Sequence, residues 1–194
     1  MKKFVIGFLI IMSSVVWSAP PSIMGVQFGL SKSTIVKQYK SKHINELLKD
    51  RNFLNYEQTI MPNNFGLTDH CLYFDDNKKL GKIVFYVDYD TSSSAWDLLY
   101  KFETLKNALI EKYGNISKGG ISISPEYDTV ETRFNGFQLG YNNGVYIWNL
   151  YDTDIVLIIE SIDDTTVLLT LTYEYKPVWD KHCERRSLQS KVGL

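Results

Sequence analysis

Two adjacent pairs, His70-Cys71 and His182-Cys183, are the residues of this chain best suited to chemistry. Four such groups are a Cys2His2 metal set in composition. Neighbours on an extended chain point to opposite sides, however, so they would converge on one ion only with unusual backbone. In an oxidising compartment the two cysteines instead suit a single Cys71–Cys183 disulfide. Closing a loop of roughly 110 residues, it would stabilise the fold by about 4–5 kcal/mol in the chain-entropy model. Two free thiols are the remaining alternative. The third histidine, His43, lies in a lysine-rich stretch and is expected to be solvated. No Gly-x-Ser-x-Gly element or Cys–His signature is present. The acidic candidates Asp88, Asp90, Asp152, Asp154, Asp163 and Asp164 fall mostly where turns are expected. Glycosidase chemistry needs a facing pair of carboxyl groups instead. Lys118-Gly119-Gly120 lacks the Gly-Lys-Ser/Thr ending of a phosphate loop, and Asp75-Asp76-Asn77 lacks the spacing of a calcium loop. The expectation is a protein that is not an enzyme, with no metal and no cofactor.

Aromatic residues carry more information. There are 13 Tyr, 10 Phe and 4 Trp, and the excess of Tyr suits surfaces that are both wet and adhesive. Tyr141, Tyr146, Trp148 and Tyr151 lie on or beside the most strand-like part of the chain, so they are the candidate binding residues. The competing expectation is that these rings fill a seam between helix and sheet.

The elements that must position them follow from periodicity. Val145–Tyr151, Ile155–Ile162 and Thr166–Tyr175 are β-branched and aromatic runs broken only by acidic turns, which predicts an antiparallel meander. Val167, Leu169, Leu171, Tyr173 and Tyr175 share its dry face. Upstream, Leu98, Phe102, Leu105, Leu109 and Tyr113 form one helical stripe, with Ser94 and Asp97 as a capping box and Gly114 at the C-terminal cap. Cys71–Phe74 and Leu80–Tyr89 predict a hairpin, and Phe53–Ile60 another strand. A helix starting near Ser31 carries Ile35, Val36 and Tyr39, and is expected to continue or restart through Ile44, Leu47 and Leu48. Thr129–Leu139 is expected to add a strand, and 178–194 to be a solvated tail. The sum is an α+β domain, an antiparallel sheet with helices on one face, built as two helix-then-meander units at 25–90 and 94–176.

The first residues read as a secretory leader. Lys2-Lys3, an uncharged run Phe4–Val16 and small residues before Pro20-Pro21 predict cleavage after Ser18 or Ala19, and hence a periplasmic or secreted product. Losing Lys2 and Lys3 leaves 19 cations against 22 acids, a net charge of −3. That balance gives no reason to bind nucleic acid, and no later run is long enough to insert in a membrane.

Gly25-Val26-Gln27-Phe28-Gly29-Leu30-Ser31-Lys32 resembles the Gln-Phe-Gly-Met-Thr segment of secreted β-lactamase-inhibitor proteins. It is similar too to the Gly-Met-Thr opening of small outer-membrane assembly lipoproteins of the SmpA/OmlA type. The resemblance implies helices against an antiparallel sheet, and an envelope-located, non-enzymatic binding protein. Such a protein meets a protein partner: as an inhibitor, an immunity protein or an envelope accessory factor. The alternatives are a secreted hydrolase or toxin without a recognisable motif, and a small-ligand carrier with a pocket between helix 94–113 and the sheet.

Overall fold

The computed structural model describes residues 21–41, 46–49, 53–56, 66–90, 93–129 and 131–192. The leader, His43 and part of the 53–60 run lie outside these residues. Among the described residues, ten strands and four helices follow one another as β1 (Ser22–Ile23), β2 (Val26–Gln27), α1 (Lys32–Ser41), β3 (Glu46–Lys49), β4 (Phe53–Tyr56), β5 (Asp69–Phe74) and β6 (Leu80–Tyr89). Then come α2 (Ala95–Tyr113), β7 (Lys118–Ser122), α3 (Arg133–Gln138), β8 (Asn143–Asn149), β9 (Thr153–Ser161), β10 (Val167–Tyr175) and α4 (Lys176–Val192). Strands β3 to β10 make one antiparallel sheet in the order β3-β4-β5-β6-β10-β9-β8-β7. The chain is therefore α+β, and each half is a helix followed by a four-stranded meander. The last strands of the two halves, β6 and β10, pair at the centre.

Alternation fixes which side is dry. Ile83 and Phe85 of β6, Leu169, Leu171 and Tyr173 of β10, and Ile155, Leu157 and Ile159 of β9 are fully or almost fully buried. They lie under α1 and α2. Ile35 and Tyr39 descend from α1, and Leu98, Phe102, Leu105 and Leu109 from α2. The expected stripe of α2 is thus the one that packs. Ser94 Oγ accepts from the Asp97 N–H, and Gly114, at φ 85°, returns its N–H to the Ile110 carbonyl. A left-handed φ of that kind is strained for any residue with a Cβ. The β1–β2 hairpin seals one margin, where Phe28 stacks on Tyr175 at 5.5 Å.

Three expectations are corrected. Residues Glu46–Lys49 are not helical: they pair with β4, because tertiary pairing in the sheet overrides the local helix propensity of Leu47-Leu48. The 129–139 segment is not a strand but ends in α3, which buries Phe134 and Phe137 three residues apart and seats Gly136 against Asn142. The 178–194 tail is largely α4. Unlike α1, α2 and α3 it lies on the opposite face, where Val178 and Trp179 pack against Gly81, a position with no room for a Cβ. Among the described residues no helix is long and apolar enough to cross a membrane.

Candidate functional site

On the side away from α1, α2 and α3 the sheet presents a second face that, among the described residues, only α4 partly covers. It is built from the other half of each alternation. Tyr73, Val84 and Tyr86 come from β5 and β6, Leu168, Thr170 and Thr172 from β10, and Val156 and Ile158 from β9. Thr170 is only 5% exposed although no helix covers it, because it lies between longer neighbours, Tyr86 on one side and Ile158 on the other. The result is a shallow trough with β10 as its floor and a volume of about 360 Å³.

One end of the trough is closed by α4. Trp179 meets the Tyr73 ring edge-on at 6.2 Å, and Lys82 lies within 6 Å of both rings. Lys82 is held there by a 2.8 Å ion pair with Glu174. The helix is fastened further at the β5–β6 turn. Buried His182 places Nδ1 3.4 Å from Asp76 Oδ2, and Arg185 reaches Asp75 at 3.5 Å and Asp76 at 3.7 Å. The turn is itself preorganised: Asp75 Oδ1 accepts from the Asn77 and Lys79 backbone N–H groups.

The residues singled out for chemistry are dispersed. His70 and Cys71 point to opposite faces of β5, as neighbours on a strand must. His70 is buried under α1, with Nε2 3.0 Å from the Tyr39 hydroxyl. Cys71 faces the trough. Burial pushes its thiol up, against the pull of the Tyr73 and Tyr86 hydroxyls, so it stays protonated and weakly nucleophilic near neutral pH. Cys183 is exposed on α4. Both cysteines are free thiols, so the expected Cys71–Cys183 bridge is corrected: one is fixed in the sheet floor and the other points outward from the helix above. Among the described residues no group of three His, Cys, Asp or Glu is placed to hold a metal ion.

The acidic candidates do not converge either. Asp152 and Asp154 flank the β8–β9 turn, where Lys176 pairs with Asp154 at 2.9 Å, while Asp90, Asp163 and Asp164 lie at the far end of the strands. Asp88 is exposed on the bare face. Partial burial, then the charge of Asp69, raises its carboxyl above the usual range. Within the trough Lys82 aligns with Glu174 and Glu160 with Leu168, six residues apart on β10 and therefore about 20 Å apart. An acid–base pair cannot span that distance.

The four aromatic candidates divide. Gly144, Tyr146 and Trp148 share the parity that faces α2. Trp148 is 1% exposed and donates its indole N–H to the Gly114 carbonyl at 3.0 Å, and Tyr146 stacks on Phe102 at 5.3 Å. Both belong to the seam, which corrects their assignment to an outward sheet face. Tyr141 and Tyr151 are exposed, but in turns rather than on strands. The trough residues escaped sequence reading even though strand alternation marked them: Val84, Val156 and Ile158 are as apolar as their buried neighbours. Only the position of the helices separates the two sets. No protein-family model, curated protein or solved structure matches the chain.

Proposed function

We propose that the chain is an exported, non-enzymatic protein-binding module that meets its partner through the bare face of the sheet. The observation that carries this is the trough. Val84, Tyr86, Val156, Ile158 and Leu168 form an apolar field with Thr170 and Thr172 at its centre. Among the described residues, α4 covers only its lower end. The middle five strands span about 20 Å and their length adds a similar dimension. That platform, roughly 400 Å² in plan, supplies about half of one side of a standard interface, ~800 Å² of accessible surface. It is too shallow to enclose a small ligand, which a pocket does by burying most of the ligand's surface. A threonine floor flanked by apolar side chains, with Tyr at its margin, also suits protein recognition. Export rests on the basic, then apolar, then small-residue pattern of 1–19.

The hydrolase alternative would draw on His182 and Asp76, the histidine and carboxylate that face each other. Their surroundings argue for a fastening: His182 is buried beneath Trp179, with Arg185 sharing the same carboxylate. The carrier alternative has little room, since Leu98, Phe102 and Leu105 fill the seam between α2 and the sheet. The test is capture from periplasmic extract by residues 19–194, set beside Ile158→Lys and Leu168→Lys. A partner retained by the parent and lost by both variants is expected. Equal capture by all three, or none by the parent, would sink the reading.

A further inference from the structure

We infer that the end of the molecule around α3 and the start of α2 is a second docking surface, fitted to a cationic, Arg- or Lys-rich segment of a protein partner. The strand registers bring three connections to this end: Tyr89 of β6 pairs with Val167 of β10, which pairs with Ser161 of β9, and Ser122 of β7 pairs with Asn143 of β8. The start of α2 follows β6 directly. Most of the large apolar side chains left in solvent among the described residues gather here: Trp96 at 70% exposure, with Tyr100, Leu139, Tyr141 and Ile162 each more than half exposed.

These side chains belong to one built surface. Asn142, itself buried, accepts from the Ser124 N–H and donates to the Tyr127 and Arg133 carbonyls, tying the 124–142 stretch into a single cap. One flank of that cap meets α2 in a groove of about 360 Å³ lined by Trp96, Leu99, Tyr100, Glu103 and Arg133. The other flank is pinned to the β9–β10 turn, where Gln138 donates to the Thr165 carbonyl and Ser161 to the Gln138 carbonyl. Tyr127 and Tyr141 stack at 5.0 Å, and Trp96 and Tyr100 at 5.1 Å with their planes 8° apart.

Charge selects the occupant. Residues 89–90, 93–97, 122–129, 131–139 and 161–166 carry seven carboxylates and a single cation, Arg133. Arg133 is already bonded to Asp128, and Lys101 further along α2 is paired with Asp97. A surface of that sign repels nucleic acid and anionic membrane, and it repels its own copy in a symmetric pair. It attracts a cation, and the stacked Trp96–Tyr100 slab is the platform on which a guanidinium lies flat, with Glu103 as the carboxylate lining the same groove. This goes beyond the sheet-face reading and fails independently of it.

Fluorescence anisotropy of a fluorescein-labelled (Arg-Leu)4 peptide with the full mature chain tests the inference, with (Glu-Leu)4 as the control. Binding of the cationic peptide is expected to weaken as salt rises, to fall about tenfold in Trp96→Ala/Tyr100→Ala, and to fall less in Asp163→Asn/Asp164→Asn. Ile158→Lys, on the sheet face, should leave it unchanged. Trp96, Tyr100, Asp163 and Asp164 are exposed and Ile158 is part-buried, and circular dichroism checks each variant's fold. Absent binding, equal affinity for the acidic peptide, or indifference to the Trp96/Tyr100 change would overturn it. So would concentration-dependent self-association in sedimentation that Trp96→Ala abolishes, since the surface would then serve a second copy.

Discussion

The two faces of the central sheet obey the same alternation and differ in what lies across from them. On β6, Ile83 and Phe85 are fully buried under the helices, while Val84 and Tyr86, one step away, remain partly in water. On β9, Ile155 and Leu157 contrast in the same way with Val156 and Ile158. Composition barely distinguishes the pairs. The covered set contributes stability through contact with α1 and α2; the bare set, part-buried by its neighbours in the sheet, contributes less and leaves apolar surface available to something else.

The widest separation between the faces should come from Phe102→Ala. Phe102 is fully buried, packs on Gly144 and stacks on Tyr146, so its loss is expected to cost about 3–5 kcal/mol in denaturant unfolding. Next is Trp179→Ala, which removes the ring filling the space above Gly81 and beside Tyr73. A loss of about 1–3 kcal/mol is expected, with amide exchange in 176–187 rising before the sheet's does. If exchange rises uniformly, α4 is an integral part of the fold rather than a cover on the bare face.

Alkaline pH probes both faces at once. Burial holds the protons of Tyr39 and Tyr173 on the helix side, and of Cys71 and Tyr73 on the bare side, above their ordinary range; Tyr73 is pushed up to about 12. In each case the unfolded chain releases the proton first. The stability linked to these groups is therefore intact below the unfolded values, near 9 for the thiol and 10 for the phenols, and is lost as pH rises beyond them. Unfolding measured from pH 8 to 11 should show that decline, with the earliest part removed in Cys71→Ala. The smallest change in stability belongs to Ile158→Lys, expected within about 0.5 kcal/mol because a lysine there can extend into solvent. A loss comparable to Phe102→Ala would mean that the two faces are not different in kind.

How much of this was legible depended on how local the signal was. Helix α2 was, because Leu98, Phe102, Leu105 and Leu109 repeat within one element and Ser94 and Gly114 mark its ends. Strands β8 to β10 were, because their turns are short and acidic. Helix α4 was hidden: Val178, Trp179 and His182 make its contacts, but charged residues among them break any apolar stripe. Trp148 shows the limit of parity. Its strand could be read, yet its direction was set only by pairing with Ile155 and by α2 above, both distant in sequence. The acidic end was invisible for the same reason, since its three segments meet only in the finished sheet.

The β6–β10 pairing has a kinetic consequence. Every other ladder of the large sheet joins strands adjacent in sequence, whereas this one matches residues roughly eighty to ninety positions apart. Two ribbons wound early from nearby contacts would thus meet in one late closure, with α2 threaded between them. A chain interrupted before Val167 would leave β6 and β9 as raw borders, each inviting the wrong neighbour.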